Sequence, residues 1–139
     1  MRLKPIVDRL KEKGLRQAQG VLELISLKAA PAGKRYYVVP DTETAEANRL
    51  TGGAHSQRTD VRFGIVIMLD GGPNQDRTSD ELHEEELKVI DALLGWVHPD
   101  AAEGVGCDYA GARMLSVSGS TLSWMVSFRT RRLIRKVPG

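Results

Sequence analysis

Thr59-Asp-Val-Arg-Phe-Gly-Ile-Val-Ile-Met-Leu69 is the stretch on which the fold turns. Successive side chains of an extended chain point to opposite faces. Val61, Phe63, Ile65, Ile67 and Leu69 therefore share one face, and Arg62, Gly64, Val66 and Met68 share the other. Branched and aromatic residues at a period of two predict a strand with one face on a core. Asp70-Gly-Gly-Pro-Asn-Gln-Asp76 then ends it.

On the C-terminal side, Thr78-Ser-Asp-Glu81 has the spacing of a capping box and predicts a helix running to about Leu94. Leu82, Leu87, Val89, Ile90, Leu93 and Leu94 fall in one sector of that helix, with Glu86 among them, while Asp80, Glu81, Glu84, Lys88 and Asp91 lie opposite. Gly95 and Pro99 mark its exit. Segments 113–118 and 122–132 flank Gly119-Ser120 and predict a hairpin. In its second strand Leu122, Trp124, Val126 and Phe128 alternate with Ser123, Met125, Ser127 and Arg129, a core face against a wet one.

On the N-terminal side, Arg35-Tyr-Tyr-Val-Val39 predicts another strand. A helical stretch over 20–30 is ended by Pro31. An opening helix over 4–12 has Pro5 in its first turn and Gly14 as its stop. Residues 41–57 show no usable period and read as a long loop. With so few apolar side chains, that loop is expected either to become ordered only against a neighbour or to be pinned to its own domain. The fold class is α+β: a mostly antiparallel sheet of about four strands with two or three helices packed mainly on one face. It forms a single domain over 1–139 with the long loop at 41–57.

The chain has 139 residues, 41% hydrophobic and 27% charged, which suits one ordinary globular core rather than a disordered or membrane-resident chain. Its start has no apolar stretch after the first charges, so export is not expected. A single cysteine, Cys107, leaves no internal disulfide framework. No zinc-ligand, phosphate-loop, dinucleotide or nucleophile-elbow pattern occurs. Cys107 with His98 as base is the one conceivable nucleophile pair, and an incidental cysteine is the better account. Glu84, Glu85 and Glu86 point about 100° apart on a helix and cannot share a site, so they read as a charged face. No catalytic residue, cofactor or metal is expected.

Charge is distributed unevenly. Residues 70–103 carry ten acidic against two basic residues, a net of −8, while the whole chain is +2. The basic excess gathers near both ends, above all in Arg129-Thr-Arg-Arg-Leu-Ile-Arg-Lys136. A basic edge strand that resists stray pairing, a protein partner and a nucleic acid all fit that segment, although the stacking aromatics of single-strand binders are missing from it.

The order of these features resembles the tail-terminator (tail-completion) proteins of long-tailed bacteriophages and prophages. The resemblance is carried by Lys4–Leu10 (Lys-Pro-Ile-Val-Asp-Arg-Leu), Tyr37–Pro40, Asn48–Arg58 with its Leu-Thr-Gly-Gly, Val61–Ile67, the Leu-Leu-Gly-Trp at 93–96, Arg113–Leu115 and Trp124–Phe128. It covers most of the chain and no single motif in it is specific. It implies a ring of copies, typically six, that caps the growing tail tube, stops its polymerisation and offers a surface to the head. The partners it implies are the chain itself, the tail-tube protein and a head–tail connector protein. It implies no membrane, and no nucleic acid beyond DNA passing through the ring. The protein would act in the bacterial host cytoplasm during assembly and remain at the head-proximal end of the virion tail. The candidate ring or tube interface is Asn48, Arg49, Leu50, Gly52, Gly53, Arg58, Arg129, Arg131 and Arg132. Another neck protein of the virion, or a nucleic-acid-binding module using the basic C-terminal strand, are the alternatives.

Overall fold

The computed structural model describes residues 1–25, 33–70, 75–118 and 121–137. In chain order the elements are α1 (Lys4–Glu12), β1 (Ala18–Gly20), α2 (Val21–Ile25), β2 (Lys34–Ala45), β3 (His55–Asp70), α3 (Gln75–Leu93), β4 (Asp108–Ser118) and β5 (Thr121–Lys136). The five strands form one sheet in the order β1-β2-β3-β5-β4. Among the described strand pairs, only β1–β2 is parallel. The fold is α+β as expected, with five strands rather than four.

β3 is the central strand. Phe63, Ile65, Ile67 and Leu69 on one of its faces join Val126 and Phe128 of β5 in the main core, covered by Ile6 and Leu10 of α1 and Val89 and Leu93 of α3. The Phe63 and Phe128 rings stack with centroids 5.7 Å apart. The opposite face has a smaller core of Tyr37, Val66 and Met125, with Leu24 of α2 packed against it. Met125 and Ser123, expected on a wet face, are therefore buried.

α1 ends in a Schellman motif. The Leu15 N–H bonds to the Leu10 carbonyl at 2.9 Å and the Gly14 N–H to the Lys11 carbonyl at 3.0 Å, with Gly14 at φ 93°. This turn seats Leu15 and Ala18 in the core and starts β1. β1 has three residues, too few for any periodic signal. The helix expected over 20–30 is α2, five residues long, and the rest of that stretch lies outside the described residues. The Gly119-Ser120 turn lies outside them too.

Nearly half of the loop expected over 41–57 is strand. β2 continues to Ala45 and β3 begins at His55, leaving 46–54 as the connection. A register shift between Pro40 and Glu43 breaks the alternation of β2, which hides it from any reading based on period. A shift between Tyr109 and Gly111 hides the first half of β4 in the same way, and another lies between Met114 and Ser116. α3 begins at Gln75, which places Thr78 inside the helix rather than at its cap. The buried side of α3 also differs from the expected sector: Glu85 is 1% exposed, while Leu87 is 52% and Leu94 54% exposed.

Candidate assembly surfaces

β2, β3 and β5 run past both cores. The last buried residues toward that end are Thr59 on β3 and Thr130 on β5, beyond which side chains are exposed or half-buried. The outer parts of the three strands form an arm, and residues 46–54 close its tip. β3 pairs with β5 from His55↔Lys136 to Asp70↔Thr121 without a register shift, so alternation sorts the arm's side chains onto two faces.

One face carries Arg58, Arg62, Arg129, Arg131 and Arg135, all exposed, together with Leu133. Asp60 is the acid that β3 contributes there, and it faces Arg131 at 3.4 Å. Neighbours on such a face lie about 5–7 Å apart, so the guanidinium groups form a positive strip that Asp60 interrupts and Asp108 of β4 flanks across from Arg129. The other face is internally braced. Arg132 grips Glu43 with Nε at 2.8 Å and Nη2 at 3.1 Å, and the Thr59 hydroxyl donates to the same carboxylate at 2.7 Å. Partial burial pushes the Glu43 carboxyl up, but these donors outweigh it and hold the group below its ordinary range.

Asn48 organises the tip. Its Oδ1 accepts from the N–H groups of Leu50 (3.2 Å) and Ser56 (2.8 Å), and its Nδ2 donates to the carbonyls of Leu50 and Ala54, both at 3.1 Å. Gly52 and Gly53 both adopt positive φ, 70° and 83°, and make the reversal. Arg49 pairs with Glu46 at 3.1 Å. Leu50 is left 47% exposed.

The structure thus brings Arg58, Arg129 and Arg131 onto one face, sets Arg132 on the other and gathers Asn48, Arg49, Leu50, Gly52 and Gly53 at the tip. Arg62 and Arg135 belong with the first group and were missed. The alternation of 59–69, extended two residues toward Gln57, puts Arg58 and Arg62 on the same side, so the signal was present.

A second surface is the outward side of α3, where Asp80, His83, Glu84, Leu87 and Asp91 are exposed. Lys88 does not neutralise it, because its Nζ turns inward to Glu85 at 3.0 Å. A third is β4, an outer strand of the sheet, with Met114 51% and Val117 62% exposed.

Cys107 and His98 are not arranged as an activated nucleophile and base. Burial pushes the Cys107 thiol up to about 11, with Asp108 adding to the shift. His98 is also buried: its Nδ1 accepts the Asp100 N–H at 2.8 Å and its Nε2 lies 2.8 Å from the Arg2 carbonyl, to which it must donate. Both ring nitrogens are thereby committed to the backbone. Among the described residues, no group of three His, Cys, Asp or Glu side chains is placed to hold a metal ion. No described helix is long and apolar enough to cross a membrane.

No curated protein sequence matches this chain. One solved chain aligns with 99% of this chain and 92% of its own at 13% identity, with a TM-score of 0.46, too distant to add to the argument. The sequence profile described as "Phage tail terminator protein" matches residues 1–138, and the chain therefore belongs to the phage tail terminator family, making it a structural component of a phage tail.

Proposed function

We propose that this protein ends tail-tube growth: copies close into a ring, with six as the expected number, seat on the last ring of tube subunits and leave a surface for the head connector. The observation that carries the reading is the family match over residues 1–138. The arm supports it, because it is an extended, internally braced projection whose exposed groups have no role in either core. On this reading the protein works in the cytoplasm of the bacterial host, from a phage or prophage gene, and remains at the head-proximal end of the tail. Its chemistry is recognition alone. Deleting the gene tests this directly. Electron microscopy should then show tails of variable, overgrown length that fail to join heads, and tails of normal length would exclude termination as the role.

A further inference from the structure

Two of the surfaces described above are complementary. The arginine face of the arm has Leu133, 37% exposed, among Arg58, Arg129, Arg131 and Arg135. The outward side of α3 has Leu87, 52% exposed, among Asp80, Glu84 and Asp91. Each is a field dominated by one sign around an exposed leucine, the arm's being partly offset by Asp60 beside Arg131 and Asp108 across from Arg129. Lys88 is held by Glu85, and of the five arginines only Arg131 has an acid within 4.0 Å among the described residues. An exposed leucine amid like charges suits a protein surface of opposite sign with its own apolar contact, rather than a phosphate backbone.

We infer that the arginine face of the arm docks on the outward side of α3 of a second copy of this chain. Arg58 and Arg135 would meet Glu84 and Asp91, with Leu133 against Leu87. Arginine suits the role because its planar fork can engage a carboxylate with two hydrogen bonds. The two patches are different parts of one chain, so the contact is head-to-tail and repeats from copy to copy. The inference rests on the reading that copies of the chain assemble with one another, and it names the surfaces through which they do.

The test uses the full chain in sedimentation velocity at low and high salt, with two charge reversals: Arg58→Glu with Arg135→Glu on the arm, and Glu84→Arg with Asp91→Arg on the helix. All four positions are exposed, so the melting curves should match that of the unaltered chain. The unaltered chain should assemble, and loosen as salt screens the contact. Each double variant alone should weaken association by about tenfold or more. Mixed together, the two should co-assemble with copies alternating, since the unaltered helix face of one meets the unaltered arm of the other and the two reversed faces are again opposite in sign. The fourfold variant should assemble again. Three results would overturn the inference: an unaltered chain that stays monomeric, a reversal that leaves assembly intact, or a mixture whose two variants do not co-assemble. Tail length in the deletion strain would still judge the capping role by itself. Duplex DNA is the control ligand. Binding that is lost on reversing Arg58 and Arg135 while self-association persists would give the face to nucleic acid instead.

Discussion

The Tyr36 hydroxyl donates to the carboxylate of Glu85 across the junction of β2 and α3, joining sheet to helix inside the protein. Lys34 and Lys88 reach the same carboxylate from the rim, each at 3.0 Å. Burial pushes the Glu85 carboxyl up, but the three donors outweigh that and hold it below the ordinary range, while burial and Glu85 raise the Tyr36 hydroxyl.

Glu85→Ala should therefore destabilise the protein by about 1–3 kcal/mol, the cost of stranding the Tyr36 hydroxyl. The lysines add little, being 41% and 54% exposed and able to turn to water. Urea denaturation measures the loss. Tyr36→Phe should cost clearly less in the Glu85→Ala background than in the unaltered chain, because the pair acts as a unit. Full additivity would separate the two residues.

Acid should weaken the fold in two windows. Burial above all lowers the affinity of His98 for a proton, so the unfolded chain takes one up first, at its ordinary pKa of about 6.5. Stability should thus begin to fall as pH drops below about 6.5, and protonation of Nδ1 would also forfeit the bond from the Asp100 N–H. Glu85 acts lower. Its contribution is complete above the ordinary carboxyl range and is lost as pH falls through its depressed value. Thermal melts from pH 8 to pH 5 should show a slope that His98→Gln flattens, whatever that variant does to absolute stability.

Two glycines should differ when given a methyl group. At Gly106 an added Cβ would lie 2.7 Å from the Gly95 carbonyl oxygen and 2.9 Å from its carbon, backbone atoms of a residue whose N–H donates to the Cys107 carbonyl. At Gly64 it would meet Sδ and Cγ of Met125 at 2.7 and 2.8 Å, part of a flexible side chain. Gly64→Ala should cost about 1–3 kcal/mol, and Gly106→Ala more. Met125→Ala should partly repair Gly64→Ala and leave Gly106→Ala unchanged. Equal losses at the two glycines, measured by chemical denaturation, would contradict this account.

Asn48→Ala should change the tip and spare the core. Four hydrogen bonds converge on one exposed side chain, so water can replace much of their energy, and global stability should fall by no more than about 1 kcal/mol. Amide exchange should quicken at Leu50 and Ser56, whose N–H groups lose their acceptor, and stay as it was at Ile65 and Val126. Unchanged exchange at the tip would mean that Asn48 does not organise it.

What the sequence made legible follows from where alternation survives. β3 is unbulged and half of it is buried, so its period was plain, and α1 announced itself through Pro5 and Gly14. β2 and β4 were recognised only in part because bulges shift their side chains from one face to the other midway. Glu85 was read as part of a charged helix face, since no local pattern reveals that Tyr36, 49 positions away, supplies a partner. Within the candidate interface, Arg58 enters with the loop at 41–57 and Arg129 and Arg131 by charge, and alternation along β3 and β5 sets these three on one face. Arg132 enters by the same charge argument, and its position next to Arg131 puts it on the opposite face.

The unbroken ladder between β3 and β5 gives the arm a kind of reading frame. Inserting or deleting one residue between Asp60 and Phe63 would turn over the outer side chains of β3, sending Arg58 to the face that holds Glu43 and Arg132, while Arg129, Arg131 and Arg135 on β5 kept theirs and the core beyond kept its register. Changes of length here are tolerable only in twos, or with a compensating change in β5. β2 and β4 already absorb odd residues in their bulges and face no such restriction. Related chains should accordingly vary in length freely at 40–43 and 109–116, and by even steps within the arm's central pair.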